Sequence, residues 1–521
     1  MNLFQGEPET MGESGGESAL PAWKSPTYAA LNNYLYKEKY RGIWKGCAPV
    51  YTELDSMNMD NEKTQGTSRR VDKMEEACGV FGIYAPGQDL FKITTFALYA
   101  LQHRGQESAG IAVSDGNSIH LKKGMGLVSE VFHNNRELEK IPAVSAIGHV
   151  RYPTSGGSRP ENAQPLLVRY RHGGMAVAHN GNLINGVELR ERLENEGSIF
   201  QTTTDSELVC HLIARYGYND LESSLKGVLP YLHGSYSFVF LTEDKLVGIR
   251  DPHGIRPLSL GILNGNYVLA SETCAFDTIG AETIRDINPG EMVVISKEGI
   301  KSTQITPSSS SSLCIFEFIY FARPDSNING RNVHLVRKKL GKQLAIEHPA
   351  EADLVTGVPD SSLAAAAGFA EEMGLPYEMG MIKNRYIGRT FIQPSKEDRN
   401  IGVQLKLNPV KQLVEGKKIV VVDDSIVRGT TSKKLVDMFF KAGAREVHLR
   451  ISSPPVISPC YYGIDTPSYE ELVGYKKKAE EVCKEIGATT LGYLSHEGMV
   501  DSIGLSKQSL CRACFTGDYP I

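Results

Sequence analysis

Two adjacent carboxylates, Asp423 and Asp424, stand at the end of an apolar run in the stretch KKIVVVDDSIVRGTTSKK. The run over residues 419–422 predicts a buried strand, and a helix is expected to begin near Lys433. Sheets in α/β proteins bind ligands at the carboxyl ends of their parallel strands. The turn that follows is made of small and hydroxyl residues: Ser425, Gly429, Thr430, Thr431 and Ser432. Its backbone N–H groups, its hydroxyls and the helix N-terminus suit a phosphate group.

The alternative for Asp423 and Asp424 is a purely structural role, in which they only cap the helix that follows. Two neighbouring carboxylates repel each other, however, and helix capping needs only one of them. A bound ligand or cation explains the pair more simply, so we interpret this stretch as a phosphate-binding site.

A second candidate for chemistry is Cys78, which immediately precedes a strand-like run in the segment ACGVFGIY. A thiol becomes a nucleophile when a base takes its proton, and a free α-amine can be that base. The ordinary pKa of an α-amine, near 8, suits this role. Cys78 has such an amine only if the acidic leader, residues 1–77, is removed at the Ala77–Cys78 bond. The alternative is an ordinary buried cysteine in a first strand, which base rates alone would favour.

Four further cysteines have the types and spacing of metal ligands. Cys511 and Cys514 form a C-x2-C pair in SLCRACFTG, Cys314 begins the run CIFEFIYF, and Cys460 follows a proline in SPCYYG. Four thiolates suit either an iron–sulfur cluster or a structural zinc ion, and the spacing alone favours zinc. The other cysteines have no such context and are interpreted as core or surface thiols: Cys47, Cys210, Cys274 and Cys483.

Two kinds of element must position these residues. From Cys78 to residue 306 the chain alternates short strands with Gly and Pro turns, with helices expected at about 92–104, 186–197 and 205–216, which predicts a layered α+β domain. After the linker-like TPSSSSS the pattern changes to strand–helix alternation, which predicts a parallel sheet with crossover helices. We therefore expect a leader over 1–77, one domain over 78–306 and a second over 313–521.

Composition excludes several classes of protein. A net charge of -5 argues against a general nucleic-acid or membrane-surface binder. No apolar run approaches the length of a membrane-spanning helix, and the first residues carry acids where a signal peptide needs a basic start. Nine cysteines, an odd number, do not suggest a disulfide framework. These features favour a cytoplasmic enzyme.

The stretch around Asp423 and Asp424 resembles the ribose-phosphate motif of the type I phosphoribosyltransferases. The resemblance implies that the two acids bind ribose hydroxyls of phosphoribosyl pyrophosphate and that the small-residue turn surrounds its 5-phosphate. VPDSS, which contains Ser361, resembles the pyrophosphate loop of that family. KNRYIGRTFIQP resembles its flexible lid, with three basic residues for phosphate charge, Lys383, Arg385 and Arg389. Taken alone, the lid segment could equally be a plain basic loop.

The first domain resembles the glutaminase domain of the N-terminal-nucleophile (Ntn) amidotransferases. The resemblance is carried by ACGVFG, LQHRGQESAG, HVRYPTSG, HNGNL and TTTDSEL, in that order. HNGNL alone is a weak signal because Asn-Gly is a common turn, whereas the ordered set is specific. The resemblance implies that Arg151 pairs with the α-carboxylate of glutamine and Asp205 with its α-amine. It also implies an oxyanion hole formed by Asn180 and the backbone N–H of Gly181.

Over about residues 78–521 the chain resembles the glutamine phosphoribosylpyrophosphate amidotransferases. The expected fold is an α+β Ntn-hydrolase domain with four αββα layers, followed by an α/β type I phosphoribosyltransferase domain. In one branch of this family, cysteines in the contexts of Cys314, Cys460, Cys511 and Cys514 hold a [4Fe–4S] cluster. The resemblance further implies Mg²⁺ near Ser361, Asp423 and Asp424, purine nucleotides as feedback inhibitors, and a homotetramer.

The reaction that the resemblance implies has two half-reactions. Cys78 forms a thioester with glutamine, and water hydrolyses this thioester to glutamate after ammonia has left. Ammonia then displaces pyrophosphate from phosphoribosyl pyrophosphate to give 5-phosphoribosylamine, the first committed step of de novo purine synthesis. Because free ammonia is mostly ammonium at neutral pH, the two sites need a sheltered path, and we expect the lid to close it.

Two rival functions are less consistent with the sequence. A hexosamine-phosphate synthase would carry sugar-isomerase repeats in its second domain, and these are absent while VVVDDSIVRGTTS is present. A non-catalytic regulator that senses phosphoribosyl pyrophosphate would need a DNA-binding module and would have no use for Cys78, Arg151 and Asp205. Residues 1–73 have no counterpart in the resemblance, because MEEAC from Met74 already reads as a complete short propeptide. They remain a longer propeptide, a targeting segment or the product of an upstream start.

Overall fold

The structure is a computed structural model that describes residues 78–133, 137–152, 157–216, 220–306, 311–384, 406–466 and 468–521. All of them belong to one compact unit that spans Ser68–Ile521. The predicted leader and the lid residues Arg385 and Arg389 lie outside the described residues. No helix in these ranges combines the length and the apolar character that a membrane span requires.

Within the described part of residues 78–306 the chain forms two antiparallel sheets and six α-helices. The strands are β1 (Gly79–Tyr84), β2 (Ser108–Ser114), β3 (Ile119–Met125), β4 (Ser145–Arg151), β5 (Leu166–Tyr170), β6 (Gly173–Leu183), β7 (Gly234–Leu241), β8 (Lys245–Arg250), β9 (Ser259–Leu263), β10 (Asn266–Ala270), β11 (Glu282–Asp286), β12 (Glu291–Ser296) and β13 (Gly299–Gln304). The helices are α1 (Leu90–Ala100), α2 (Val128–Val131), α3 (Gly186–Asn195), α4 (Ser206–Tyr216), α5 (Leu221–Val228) and α6 (Cys274–Ile279). One sheet has the order β11-β9-β10-β1-β4-β2-β3 and the other β13-β12-β8-β7-β6-β5.

These elements stack in four layers because most of the central strands are apolar on both faces. Ala176 and Ala178 of β6 pack against the first sheet, while Val177, which points the opposite way, packs under α4 and α5. In the first sheet, Val80 of β1 faces the second sheet and Phe81 packs under α1. The predicted αββα arrangement is therefore confirmed.

Residues 311–521 form a different architecture in their described part. The strands are β14 (Leu313–Cys314), β15 (Asn327–Ile328), β16 (Arg331–Asn332), β17 (Leu354–Gly357), β18 (Met381–Lys383), β19 (Leu407–Pro409), β20 (Lys418–Asp423), β21 (Glu446–Ile451), β22 (Thr490–Tyr493) and β23 (Leu510–Cys511). The helices are α7 (Val333–Glu347), α8 (Leu363–Met373), α9 (Lys411–Val414), α10 (Thr430–Lys441), α11 (Val473–Lys476), α12 (Ala479–Ile486), α13 (His496–Ile503) and α14 (Ala513–Thr516). A π-helix over Glu317–Phe321 precedes them.

A parallel four-stranded sheet, in the order β17-β20-β21-β22, forms the centre of this part. Val420 and Val422 of β20 pack on the side of α7 and α8, and Ile419 and Val421 pack on the side of α10 and α12. A strand covered on both faces must be apolar throughout, which is why residues 419–422 read as a continuous apolar run. The predicted parallel sheet is confirmed.

Several predicted bounds need correction. The helix expected at about 92–104 is α1, which ends at Ala100 and is followed by a 3-10 turn over Gln102–Arg104. The helix expected near Lys433 begins at Thr430, because Gly429, with φ of +81°, turns the chain directly into the first helical residue. Asp423 is the last residue of β20, not the first residue after it. The boundary between residues 306 and 313 stays a prediction.

Candidate functional site

Cys78 lies immediately before β1 and is buried at the edge of the layer between the two antiparallel sheets. Its thiol donates a hydrogen bond to the carbonyl of Tyr152 over 3.4 Å, and its own carbonyl accepts one from Nε of Arg104 over 3.1 Å. Burial raises the pKa of the Cys78 thiol to about 12, while the charge of Arg151 opposes this rise. Because such a thiol does not ionise unaided at neutral pH, it needs a base beside it to act as a nucleophile.

Arg151 ends β4, the neighbour of β1, and its side chain is buried. Its Nη1 lies 2.6 Å from Oε2 of Glu107, which is also buried, and donates to the carbonyl of Gly157 over 3.5 Å. The guanidinium is therefore held rigidly at the strand end, where a carboxylate ligand could reach it. Glu107 was not singled out from the sequence, although it stands within LQHRGQESAG.

Asn180 and Gly181 lie in β6 of the second sheet. By the alternation of that strand, Asn180 shares the inter-sheet face of Ala176 and Ala178, the layer that Val80 enters from β1. The Asn180 side chain is fully buried, and neither its Oδ1 nor its Nδ2 has a hydrogen-bond partner among the described residues. A buried amide without partners is costly unless a ligand satisfies it.

Gly181 has a backbone conformation that only glycine adopts readily. Its φ is +147°, and a Cβ there would lie 2.1 Å from the carbonyl oxygen of Ser235 on the neighbouring strand. The backbone of β6 can therefore take this path only because residue 181 has no side chain. The buried amide of Asn180 and the open backbone of Gly181 make this pair a candidate oxyanion hole.

Asp205 immediately precedes α4 and is buried beside the end of β6. Its Oδ2 accepts a hydrogen bond from the backbone N–H of Leu183 over 2.9 Å, and its Oδ1 lies 3.6 Å from Nδ1 of His179. Burial opposes ionisation, but His179 and the backbone donors more than offset it and lower the pKa of Asp205. Asp205 is thus an ionised carboxylate that can receive an ammonium group.

A cavity of about 740 Å³ opens beside Asp205. It is lined by residues that follow β6, residues of α3, the turn before α4 and the carboxy-terminal part: Asn182, Leu183, Ile184, Gly186, Val187, Arg190, Glu191, Thr203, Thr204, Asp205, Leu208, Tyr461, Tyr462 and Ile521. Its volume accommodates an amino-acid side chain with room to spare. The cavity joins elements that are far apart in the sequence.

The loop that carries Cys460 contacts the candidate oxyanion hole. Asn182 donates through Nδ2 to the carbonyl of Tyr461 over 2.9 Å, and Ser235 donates through Oγ to the carbonyl of Tyr462 over 2.8 Å. Gly463, with φ of +90°, comes so close that a Cβ on it would lie 3.0 Å from the carbonyl carbon of Gly181. No sequence signal pointed to this contact. The loop over 461–463 therefore lies against the backbone of the candidate oxyanion hole.

In the carboxy-terminal part, Asp423 and Asp424 are buried at the carboxyl end of β20. Ser361 donates to Oδ2 of Asp424 over 2.5 Å, Ser362 to Oδ1 of Asp423 over 3.1 Å, and Ser425 to Oδ1 of Asp424 over 2.8 Å. The N-cap of α10 is Gly429, with no capping side chain, so the two carboxylates do not cap this helix. Ser362 was missed as a partner, although it is the second serine of VPDSS.

The predicted phosphate turn runs from Ser425 into α10, a helix of 12 residues that starts at Thr430. Thr430, Thr431 and Ser432 thus form the first turn of α10, where backbone N–H groups have no partners within the helix. On β18, which pairs with β19 in a separate two-stranded sheet, Lys383 forms an exposed ion pair with Asp360 of the VPDSS loop, at 2.7 Å. The structure therefore brings Ser361 to the carboxylate pair and Lys383 to the VPDSS loop.

The four predicted cysteine ligands converge from separate stretches. Cys314 lies opposite Cys511 in a parallel strand pair. The carbonyl of Cys514 accepts hydrogen bonds from the backbone N–H groups of residues 457 and 458, which immediately precede the segment of Cys460. Burial raises the pKa of Cys511 to about 12 and raises that of Cys314 and Cys514 as well, and the neighbouring thiols add to the rise at these three residues. As placed, no three His, Cys, Asp or Glu side chains in the described ranges form a metal-binding group.

The other cysteines of the described chain lie away from this convergence. Cys210 and Cys274 are buried in the cores of the amino-terminal part, and Cys483 is half-buried on α12. Their assignment as core or surface thiols agrees with this burial. Cys47 lies outside the described residues.

Comparison with known proteins gives a consistent result. A family model described as a glutamine amidotransferase domain matches residues 152–278. The chain is 53% identical to the amidophosphoribosyltransferase of Bacillus subtilis, over 86% of this chain and 94% of that protein. It is 49% identical to the chloroplastic amidophosphoribosyltransferase 1 of Arabidopsis thaliana, over 86% of this chain and 80% of that protein. It superposes with a TM-score of 0.81 on the B. subtilis glutamine phosphoribosylpyrophosphate amidotransferase complexed with ADP and GMP, covering 85% of this chain and 97% of that one at 53% identity.

Proposed function

The chain belongs to the amidophosphoribosyltransferase family, and we propose that Cys78 is the nucleophile of its glutamine half-reaction and that Asp423 and Asp424 bind its sugar-phosphate substrate. The protein is a glutamine-dependent amidotransferase that converts phosphoribosyl pyrophosphate, glutamine and water into 5-phosphoribosylamine, glutamate and pyrophosphate, in purine biosynthesis.

The observation that carries the glutamine assignment is the buried Asn180 amide without a partner, on the inter-sheet face that Cys78 borders. Glutamine binds with its α-carboxylate on Arg151 and its α-ammonium on Asp205. The α-amine of Cys78 takes the proton of Sγ, and Sγ attacks the side-chain amide carbon. Asn180 Nδ2 and the Gly181 N–H donate to the developing oxyanion, and losing one such donor typically costs ~10²–10³ in rate. Ammonia leaves, and water hydrolyses the thioester.

This scheme requires that Cys78 be the first residue of the working enzyme. The raised thiol pKa, about 12, supports a built-in base, since a thiol of that pKa is almost entirely protonated at neutral pH. The leader, residues 1–77, would be removed at the Ala77–Cys78 bond. The remaining chain would then work as two domains, 78–306 for glutamine and 313–521 for the sugar phosphate.

In the second half-reaction, ammonia displaces pyrophosphate from C1 of the ribose. Asp423 and Asp424 accept hydrogen bonds from the ribose hydroxyls and favour the positive charge that develops at C1 in an oxocarbenium-like transition state. The 5-phosphate binds the turn formed by Ser425, Gly429, Thr430 and Thr431 at the N-terminus of α10.

The pyrophosphate binds near Ser361 and Lys383, and Arg385 and Arg389 of the predicted lid supply further positive charge for it. Ser361, Asp423 and Asp424 supply the hard oxygen donors that Mg²⁺ prefers, and a bound Mg²⁺ would offset the pyrophosphate charge. The ion pair of Lys383 with Asp360, on the VPDSS loop, supports a position for Lys383 close to this group.

The four converging cysteines support a structural [4Fe–4S] cluster. Cys314, Cys460, Cys511 and Cys514 would be its ligands, because soft thiolates in a buried, apolar setting suit iron–sulfur chemistry. A structural zinc ion is the alternative for the same donor set. Such a group would tie the loop of Cys460 to the strand pair of Cys314 and Cys511.

We also propose that purine nucleotides act as feedback inhibitors and that the enzyme is a cytoplasmic homotetramer. The solved relative complexed with ADP and GMP, and a second one at 53% identity described as the allosteric regulatory enzyme of purine biosynthesis, support regulation by nucleotides.

The test compares glutamate release and ammonia-dependent synthesis in a Cys78→Ala variant. We expect glutamate release to vanish while synthesis from free ammonia stays within about two-fold, because Asp423 and Asp424 are untouched. Cys210→Ala, which removes a buried thiol elsewhere, is the matched control and should retain both activities. Glutamate release by Cys78→Ala, or an intact mass that retains Ala77 in the active enzyme, would refute the assignment.

A further inference from the structure

Four fully buried charged side chains lie between Cys78 and the carboxy-terminal part. They are two arginines and two glutamates: Arg104, Arg256, Glu272 and Glu317. Three come from the amino-terminal part, and Glu317 begins the π-helix that follows Cys314. Buried charges are costly unless each is paired and hydrogen-bonded, so the arrangement constrains the position of every member.

Arg104 uses its whole guanidinium in this group. Its Nε donates to the carbonyl of Cys78, and its Nη1 and Nη2 form a two-armed pair with Oε2 and Oε1 of Glu317 at 2.9 and 2.8 Å. Nη1 also lies 2.5 Å from Oε1 of Glu272. A planar guanidinium fixed by two carboxylates has little freedom to rotate, so the Cys78 carbonyl is bound to a rigid donor.

Glu317 is shared between the two arginines. Nη1 of Arg256 lies 3.5 Å from its Oε1, and Arg256 donates through Nε and Nη2 to the carbonyl of Tyr462, in the loop that carries Cys460. The Glu317 side chain is completely shielded from solvent, and it is the lone acid of the apolar run CIFEFIYF. An unpaired acid would not be stable in that run, so its position depends on Arg104 and Arg256.

We propose that Glu317 is a positioning residue for the glutamine half-reaction, which fixes Arg104 and thereby the backbone of Cys78. The proposal rests on the assignment of Cys78 as nucleophile. It gives the carboxy-terminal part a direct role in the geometry of the thiol, because Glu317 lies outside residues 78–306. Glu317 itself does not touch glutamine.

The charge of Glu317 also has an effect of predictable direction on the pKa values of the groups at Cys78. The charged groups that act on the Cys78 thiol are Arg104, Glu107, Arg151 and Asp205. Neutralising Glu317 leaves the positive charge of Arg104 less compensated, which favours the deprotonated forms of the thiol and of the α-amine. In a plot of the rate of glutamate release against pH, the acidic limb is the range where the rate rises as the amine loses its proton. This acidic limb therefore moves to lower pH.

The experiment measures glutamate release and ammonia-dependent synthesis in the full-length protein with Glu317→Gln. We expect kcat for glutamate release to fall by about 10- to 100-fold, since a misplacement near 1 Å costs this much. The KM for glutamine should change by less than about two-fold, because Arg151 and Asp205 are untouched. The acidic limb should move down by about half a pH unit or more, and synthesis from ammonia should stay within about two-fold.

Glu317→Asp separates charge from reach, because it keeps the carboxylate but shortens it by one methylene. We expect its acidic limb to match the wild type and its kcat to fall. Glu291→Gln is the matched control, since Glu291 is another buried acid paired with both arms of an arginine, Arg285, at 2.6 and 2.8 Å. It should leave kcat and the pH profile unchanged.

The outcomes distinguish this inference from the function itself. If Cys78→Ala is inactive in glutamate release but Glu317→Gln keeps the wild-type kcat and pH profile, only the positioning role is wrong. If Glu317→Gln does not accumulate as folded protein, Glu317→Asp decides, and a wild-type kcat in that variant overturns the proposal. Equal losses of both activities with an unshifted limb also overturn it, because they indicate a general loss of folded enzyme.

Discussion

Gly463→Ala is the substitution whose effect on the glutamine half-reaction follows most directly from the structure. A Cβ on residue 463 would lie 3.0 Å from the carbonyl carbon of Gly181, 3.1 Å from its oxygen and 3.3 Å from its Cα. These are backbone atoms of β6, which cannot rotate away as a flexible side chain would. The new methyl must therefore displace either the loop of Tyr461 and Tyr462 or the backbone of Gly181.

Gly463→Ala has two expected effects, one on stability and one on the rate of glutamate release. The φ of +90° at residue 463 is strained for alanine and costs on the order of 1–3 kcal/mol in stability. The displacement needed to restore ordinary contact is a few tenths of an ångström. Because an oxyanion-hole donor contributes ~10²–10³ in rate when correctly placed, we expect a partial shift of Gly181 to lower kcat for glutamate release by about 10-fold or more.

The matched control is Gly487→Ala, which has almost the same φ, +80°, but no atom within 4 Å of the new methyl. It isolates the backbone strain from the contact with Gly181. Both variants are compared by thermal unfolding, by glutamate release and by synthesis from ammonia. Glutamate release should fall in Gly463→Ala alone, with ammonia-dependent synthesis retained in both. Equal glutamate release in the two variants at temperatures where both are folded would refute the reasoning.

Three further predictions concern other parts of the molecule. Asp424→Asn, which removes a buried carboxylate from the end of β20, should abolish synthesis from ammonia while glutamate release persists; loss of both activities, or of neither, would contradict its assignment. Glu207 accepts hydrogen bonds from the backbone N–H groups of Gln201 and Thr202. Burial opposes its ionisation, but His211 and these hydrogen bonds outweigh burial and lower the pKa of Glu207 to about 2. Its carboxylate therefore stabilises the fold above about pH 4.5, and this stabilisation is lost as the pH falls towards 2. Glu207→Gln should lower the free energy of unfolding at pH 7 by about 2 kcal/mol. In denaturant titrations at successive pH values, the difference in this free energy between the variant and the wild type should become smaller below pH 4.5. A difference that does not change with pH would contradict the role of the charge. Purified protein should contain iron and inorganic sulfide in equal amounts, lost in Cys514→Ser and retained in Cys210→Ser; zinc without sulfide would instead support the alternative metal.

The local motifs were predictable from the sequence because each is written within a few consecutive residues. The apolar run before Asp423 and Asp424 predicts a strand, and their place at its end predicts a ligand site, since strand direction and side-chain chemistry are both local. The apolar run over residues 175–178 likewise predicts a strand, which the structure shows as β6. The start of α10 was misplaced by three residues because Gly429 ends the turn earlier than the polar composition of the turn suggests.

The contacts that tie the two parts together could not be predicted in this way. Gly181 meets Gly463 and Arg104 meets Glu317 through positions that no periodicity relates, and the same holds for Arg151 and Glu107 within the amino-terminal part. Glutamate and glycine have many uses, so their types alone did not indicate a role at Cys78. Such pairings depend on how the sheets and the π-helix pack, which is a property of the whole chain.

By itself, then, the sequence determined a strand-rich α+β part and a parallel sheet with crossover helices after it, because strand and helix patterns are encoded residue by residue. The four αββα layers and the roles of the reactive groups were implied only by the resemblance to a family. Only the tertiary structure decided which charge neutralises which, how deeply Cys78 is buried, and that a loop of the carboxy-terminal part lies against Asn182 and Gly181. The physical reason is that burial and ion pairing arise from atoms that the fold brings together from separate stretches of the chain, and their free energies exist only once those atoms share a low-dielectric interior.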